Sequence, residues 1–137
     1  MSRQPSDDLR KLPVFANLHK KELEQADSLL TPVTFKAGDM LCVEGNFGLQ
    51  VFIMITGTAK VTKHGEDIAT VGPGDLVGEM ALLDMSERSA SVTALEPVTA
   101  LVASAHEFAS LRRIPGVDAA IRAIAASRSA DSVGTTN

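Results

Sequence analysis

Glycine, carboxylates and an arginine crowd together in one stretch of this 137-residue chain, Leu76-Val77-Gly78-Glu79-Met80-Ala81-Leu82-Leu83-Asp84-Met85-Ser86-Glu87-Arg88-Ser89-Ala90-Ser91-Val92. Ahead of it, Gly72-Pro73-Gly74-Asp75 is a tight-turn signature. Gly78 permits close backbone approach, and Glu79 to Leu83 are good helix formers. A short helix is therefore expected to begin here. The first turn of a helix leaves N–H groups unpaired and carries partial positive charge, so its start can hold a phosphate where glycine lets the ligand come near. Arg88 adds a permanently charged, forked donor. These residues alone leave a second reading open, an ordinary turn with a surface arginine that pairs with Glu79 or Glu87.

Other chemistries find less support. His19, His64 and His106 fall on a helix, in a turn and at a helix start, with no pair at a ligand spacing, so no metal site is expected. Cys42 sits in mid-strand and no serine occupies a Gly-x-Ser-x-Gly elbow, which argues against a nucleophile. Glu79, Asp84 and Glu87 form the acidic cluster, and the arginine in the same loop makes ligand binding a better account of them than acid/base hydrolysis. The chain is read as a binding protein without a cofactor, not an enzyme.

The elements that must position this stretch follow from period and punctuation. Residues 1–8 read as a disordered tail. Asp7 or Asp8 can cap a turn over Leu9 to Leu12, which Pro13 interrupts. Asn17 is placed as the cap of a helix from about His19 to Leu29, with Leu18, Leu23, Ala26, Leu29 and Leu30 on one stripe. The period then shortens. Val33–Phe35, Met40–Val43, Gln50–Ile55, Thr58–Lys63, Ile68–Val71, Ser89–Leu95 and Val98–Ala103 are short runs bounded by turn residues, at roughly ten-residue spacing. No room exists for the helical crossovers of a parallel sheet. The expected fold is mainly β, an antiparallel jelly-roll (double-stranded β-helix) barrel with an N-terminal helical preface and C-terminal helices. Ser104 should cap a helix to about Leu111, broken before Pro115-Gly116. Val117, Ala120, Ile121, Ile124 and Ala125 then form a second apolar stripe, which packs on the core, covers the barrel mouth or meets a second subunit in a homodimer. The domain is drawn over residues 9–128, with 129–137 as a disordered tail.

Composition bounds the partners. The length suits one domain able to own a core without disulfides, and Cys42 as the single cysteine rules out an intramolecular disulfide. Net charge is -4, and the basic runs are the dipeptides Lys20-Lys21 and Arg112-Arg113, so the footprint of a nucleic-acid binder is missing. No apolar run approaches the roughly 18 residues of a membrane span, and a cytoplasmic location is expected.

Gly78-Glu79-Met80-Ala81-Leu82-Leu83 followed by Arg88-Ser89-Ala90 resembles the phosphate-binding cassette of cyclic-nucleotide-binding domains, the family of the bacterial catabolite activator protein and the protein kinase A regulatory subunit. The resemblance covers roughly residues 9 to 128. Val14-Phe15-Ala16-Asn17-Leu18 is similar to the family's helical preface, Gly38-Asp39 and Glu44-Gly45 to its early turns, Ile53 to Val61 to its central strand pair, and Val71 to Asp75 to the turn entering the cassette.

The resemblance implies roles. Glu79 would accept the ribose 2'-hydroxyl, Arg88 would grip the cyclic phosphate, and amides near Ala81 and Leu82 would complete the anion site. Val77, Gly78, Met80, Ser89 and Ala90 line the same ligand site, with the Ser89 hydroxyl near phosphate or purine. A cyclic phosphodiester carries one negative charge, which suits a guanidinium fork. Serine after the arginine resembles the bacterial cAMP-binding activators, so cAMP is preferred to cGMP. Leu76 or Val77 would face the purine, with Ile121, Arg122 or Ala125 from the last helix. Asn46, where relatives often carry an acid, and the short terminal helix depart from the pattern. With no output domain before Asn137, the implied protein is a stand-alone receptor that signals to an unidentified effector protein through its terminal helices. The alternative is a degenerate domain that keeps the barrel as an interaction scaffold.

Overall fold

The computed structural model describes residues 9–78, 88–124 and 126. The expected tails and the helix expected over Glu79 to Leu83 lie outside the described residues.

Leu12 N–H donates to the Leu9 carbonyl, and a 3-10 turn follows over Pro13–Phe15. Pro13 thus opens a turn as well as ending one, because a first-turn residue needs no N–H and its fixed φ already suits a helix. Helix α1 spans Lys20–Ser28 and buries Leu23 and Ala26. Its cap is His19 and not Asn17: the His19 N–H donates to Glu22 Oε1 at 3.0 Å, so the carboxylate three residues on decides where the helix begins.

Among the described residues the strands are β1 (Thr31–Phe35), β2 (Met40–Cys42), β3 (Gln50–Thr56), β4 (Ala59–Lys63), β5 (Glu66–Val71), β6 (Leu76–Val77), β7 (Ser91–Ala94) and β8 (Val98–Ser104). Two four-stranded antiparallel sheets, ordered β1-β8-β3-β6 and β2-β7-β4-β5, form the expected jelly roll. β6 is not a strand that the apolar pattern reveals, since two residues cannot show a period. It pairs with β3, Phe52 opposite Val77 and Ile53 opposite Leu76. The turn before it closes as expected, with Asp75 N–H donating to the Gly72 carbonyl and the Asp75 carboxylate accepting from Gly72 N–H.

β3 and β8 are buried on both faces. Val51, Ile53, Leu101 and Ala103 join the helices in one core, whereas Phe52, Met54, Val98, Ala100 and Val102 fill the barrel interior with Cys42. That double burial is why Val51 to Met54 reads as a continuous apolar run and not an alternating one. Helix α2 spans Ala105–Arg112 and begins on a capping box, with Ser104 Oγ accepting from Glu107 N–H and Glu107 Oε1 accepting from Ser104 N–H. Helix α3 covers residues 117–124. Val117 and Ile121 are buried in the helix-side core and Ala120 and Ile124 pack against it, so the apolar stripe does serve as core.

Candidate functional site

The surface-arginine reading is wrong. Arg88 is 7% exposed and is the buried charged residue among those described. Its backbone is fixed first: Arg88 N–H donates to the Asn46 carbonyl at 2.8 Å, and Gly45 N–H donates to the Arg88 carbonyl at 2.9 Å. Its side chain then enters the gap where the β3–β6 ladder stops. Just beyond the last paired residues, Nη1 donates to the Gly78 carbonyl at 2.9 Å and Nη2 to the Gln50 carbonyl at 2.8 Å. The guanidinium therefore staples two strand ends that no longer bond to each other.

Two glycines make this possible. A Cβ on Gly48 would overlap the Cζ, Nε and Nη2 atoms of Arg88, and one on Gly78 would overlap Nη1. Gly78 also has φ +89, a conformation costly for any residue with a Cβ. Gly48 marks the end of a turn in sequence terms and nothing local hints at its role. Its reason for being small lies forty positions away.

The electrostatics follow from burial. A guanidinium cannot shed its charge, and withdrawing one from water costs several kcal/mol unless it is compensated. Among the described residues its hydrogen-bond acceptors are neutral carbonyls, and no carboxylate makes an ion pair with it. Two of the five N–H donors are accounted for by these bonds. An anion is the partner such a group is suited to.

The other expected site residues divide. Val77 is buried in the barrel interior and Leu76 in the helix-side core, 2% and 1% exposed, so their side chains are core groups first. Ser89 is exposed beside the arginine and Ala90 is half-buried. Glu79, Met80, Ala81 and Leu82 lie outside the described residues. Of the residues expected to face the purine from the last helix, Ile121 is in the core and Arg122 Nε donates to Asp118 Oδ2 at 3.0 Å. Ala125 lies outside the described residues.

Asp118 also joins the two C-terminal helices. Arg112 Nε donates to its Oδ1 at 2.6 Å, and the Arg112 guanidinium lies 5.9 Å from the Phe108 ring centroid. The hydrogen bond from Arg112, then that from Arg122, hold the Asp118 carboxyl below the ordinary aspartate range. Elsewhere, His64 approaches Glu44 at 3.2 Å, and among the described residues no group of three or more His, Cys, Asp or Glu could hold a metal ion. No helix of the described residues is long and apolar enough to cross a membrane.

The family model for the cyclic nucleotide-binding domain matches residues 32–114. The cyclic AMP receptor protein of Thermus thermophilus is 31% identical over 122 residues, 85% of this chain and 56% of that protein. A cAMP-dependent protein kinase regulatory subunit of Yarrowia lipolytica is 35% identical over 88 residues, 63% of this chain and 24% of that protein. Among solved structures, the catabolite activator protein of Thermus thermophilus superposes with a TM-score of 0.78 at 30% identity, over 88% of this chain and 59% of that one. The chain thus spans little more than half the length of the first of these curated relatives and about a quarter of the second.

Proposed function

As this chain belongs to the cyclic nucleotide-binding domain family, we propose that it is a regulatory receptor for a cyclic nucleotide, cAMP in preference to cGMP. The observation that carries the reading is the buried Arg88 fork, held between Gly48 and Gly78 with neutral acceptors only among the described residues. In the proposed complex the cyclic phosphate takes donors of this fork, together with amides near Ala81 and Leu82. Charge-assisted bonds of this kind are worth roughly 1.5–3 kcal/mol each. Glu79 accepts the ribose 2'-hydroxyl, Ser89 stands beside the phosphate, and a partner protein reads the position of α2 and α3.

Calorimetry with cAMP and cGMP on native protein and on Arg88→Ala tests this. The native protein should bind cAMP more tightly than cGMP, and the substitution should cost roughly 2–5 kcal/mol. Absence of heat with either nucleotide would end the receptor reading. One observation favours a competitor: Arg88 joins Gln50 to Gly78 through their backbone carbonyls, a structural role that a nucleotide-free interaction scaffold would also keep.

A further inference from the structure

β3 lies between β8 and β6, and its first residues face both ways. The Gln50 carbonyl accepts from Arg88 Nη2, and the preceding carbonyl, that of Leu49, accepts from the Ala105 N–H at 2.8 Å. Ala105 is the first residue of α2, and its neighbour Ser104 pairs with Gln50 at the end of the β3–β8 ladder. Two consecutive peptide units thus hold the arginine on one side and the start of a helix on the other. Beyond α2, Arg112 bonds Asp118 of α3.

We propose that residues 48–50 are the transmission element between Arg88 and the C-terminal helices, with the Leu49–Ala105 hydrogen bond as its contact. The inference rests on the receptor reading and specifies how that site is coupled. An anion bound to other donors of the fork pulls on the same guanidinium that holds the Gln50 and Gly78 carbonyls, and an ionised acceptor makes the stronger bond. Binding therefore repositions the group that holds Gln50, which supplies the differential interaction that any ligand-driven shift requires. Gly48 lies against the guanidinium with no side chain to yield, so movement of the fork displaces backbone. Leu49 carries the displacement to the first amide of α2, whose capping box keeps the helix start rigid. The Arg112–Asp118 bond extends it to α3.

One substitution isolates the contact. Ala105→Pro removes the donor N–H at the first helical position, where proline is well accommodated. Ser104 has φ -69 and ψ 171, the extended conformation that suits a residue preceding proline, and Ala105 is exposed. Calorimetry with cAMP comes first. Native protein and Ala105→Pro should bind within about threefold of each other, since no group touching the anion has changed. Amide exchange in residues 106–112, altered by about tenfold on saturating native protein with cAMP, should change less than about twofold in Ala105→Pro. Equal ligand-induced changes in both proteins would overturn the inference and leave the receptor reading intact. Failure of native protein to bind cAMP would overturn both. Native protein gives a second measurement independent of the variant's folding: exchange of the Ala105 amide itself should respond to cAMP, and an unchanged rate alongside altered rates in residues 117–124 would refute the coupling.

Discussion

Gly48 is vacant where Arg88 is full: the guanidinium carbon lies within the volume that a methyl group on Gly48 would need. The two residues therefore form one packing unit although they come from different loops. Gly48→Ala should displace the fork, lower stability by roughly 1–3 kcal/mol, as overpacking does, and weaken cAMP binding in the same variant. Gly72→Ala is the control, since a Cβ there would meet Thr58 at an ordinary 3.7 Å. Its melting temperature and affinity should stay close to native.

Lysine at position 88 separates charge from geometry. Arg88→Lys keeps the positive charge, but a single ammonium on a flexible stem cannot reproduce the planar fork that spans the Gln50 and Gly78 carbonyls. Calorimetry should show most of the Arg88→Ala loss, and the melting temperature should fall. Near-native affinity in the lysine variant would mean that charge alone recruits the anion.

Glu79 gives a prediction about the sugar. If its carboxylate accepts the ribose hydroxyl, 2'-deoxy-cAMP should bind native protein more weakly by roughly 1.5–3 kcal/mol. In Glu79→Ala the two ligands should bind alike. A full difference persisting in the variant would assign the hydroxyl to another residue.

The helix pair carries a pH signature. The Asp118 carboxyl is held below its ordinary value by Arg112 and Arg122, so its contribution to the folded state is fully present above roughly pH 4 and is lost as pH falls through the depressed folded value. Between pH 5 and 8 this pair should contribute nothing to any change in stability. Asp118→Asn should loosen α2 from α3, seen as faster amide exchange in residues 117–124, and its stability should depend less on acid than that of native protein.

Ser104→Ala should cost about 1 kcal/mol, read from denaturant unfolding, because Glu107 N–H loses its acceptor.

Much of this architecture is legible in the chain. Glycine and proline punctuate the strands, and Ser104 three residues before Glu107 announces the start of α2 through a local signal. The same kind of signal lies at His19 and Glu22, but Asn17 is a better cap by residue type alone and competes with it. What escaped depends on contacts between distant residues. β6 exists because β3 offers it an edge, and its two side chains enter different cores, which no periodicity in Leu76-Val77 can express. Arg88 stands out by its type and neighbours, whereas the carbonyls of Asn46 and Gln50 that hold it carry no side-chain signature at all. Arg122 reads as a ligand-facing candidate by its type and helix, yet its partner is Asp118, four residues earlier on the same helix.

The barrel interior contains the protein's one thiol. Cys42 is buried in one core with Phe52, Met54 and Val92, so a thiol reagent reaches it when the barrel opens locally or as a whole. Its labelling rate is thus a built-in clock for opening of the barrel, read without engineering a probe. Since Arg88 ties strand ends of that barrel together, a ligand that tightens its grip should slow the clock.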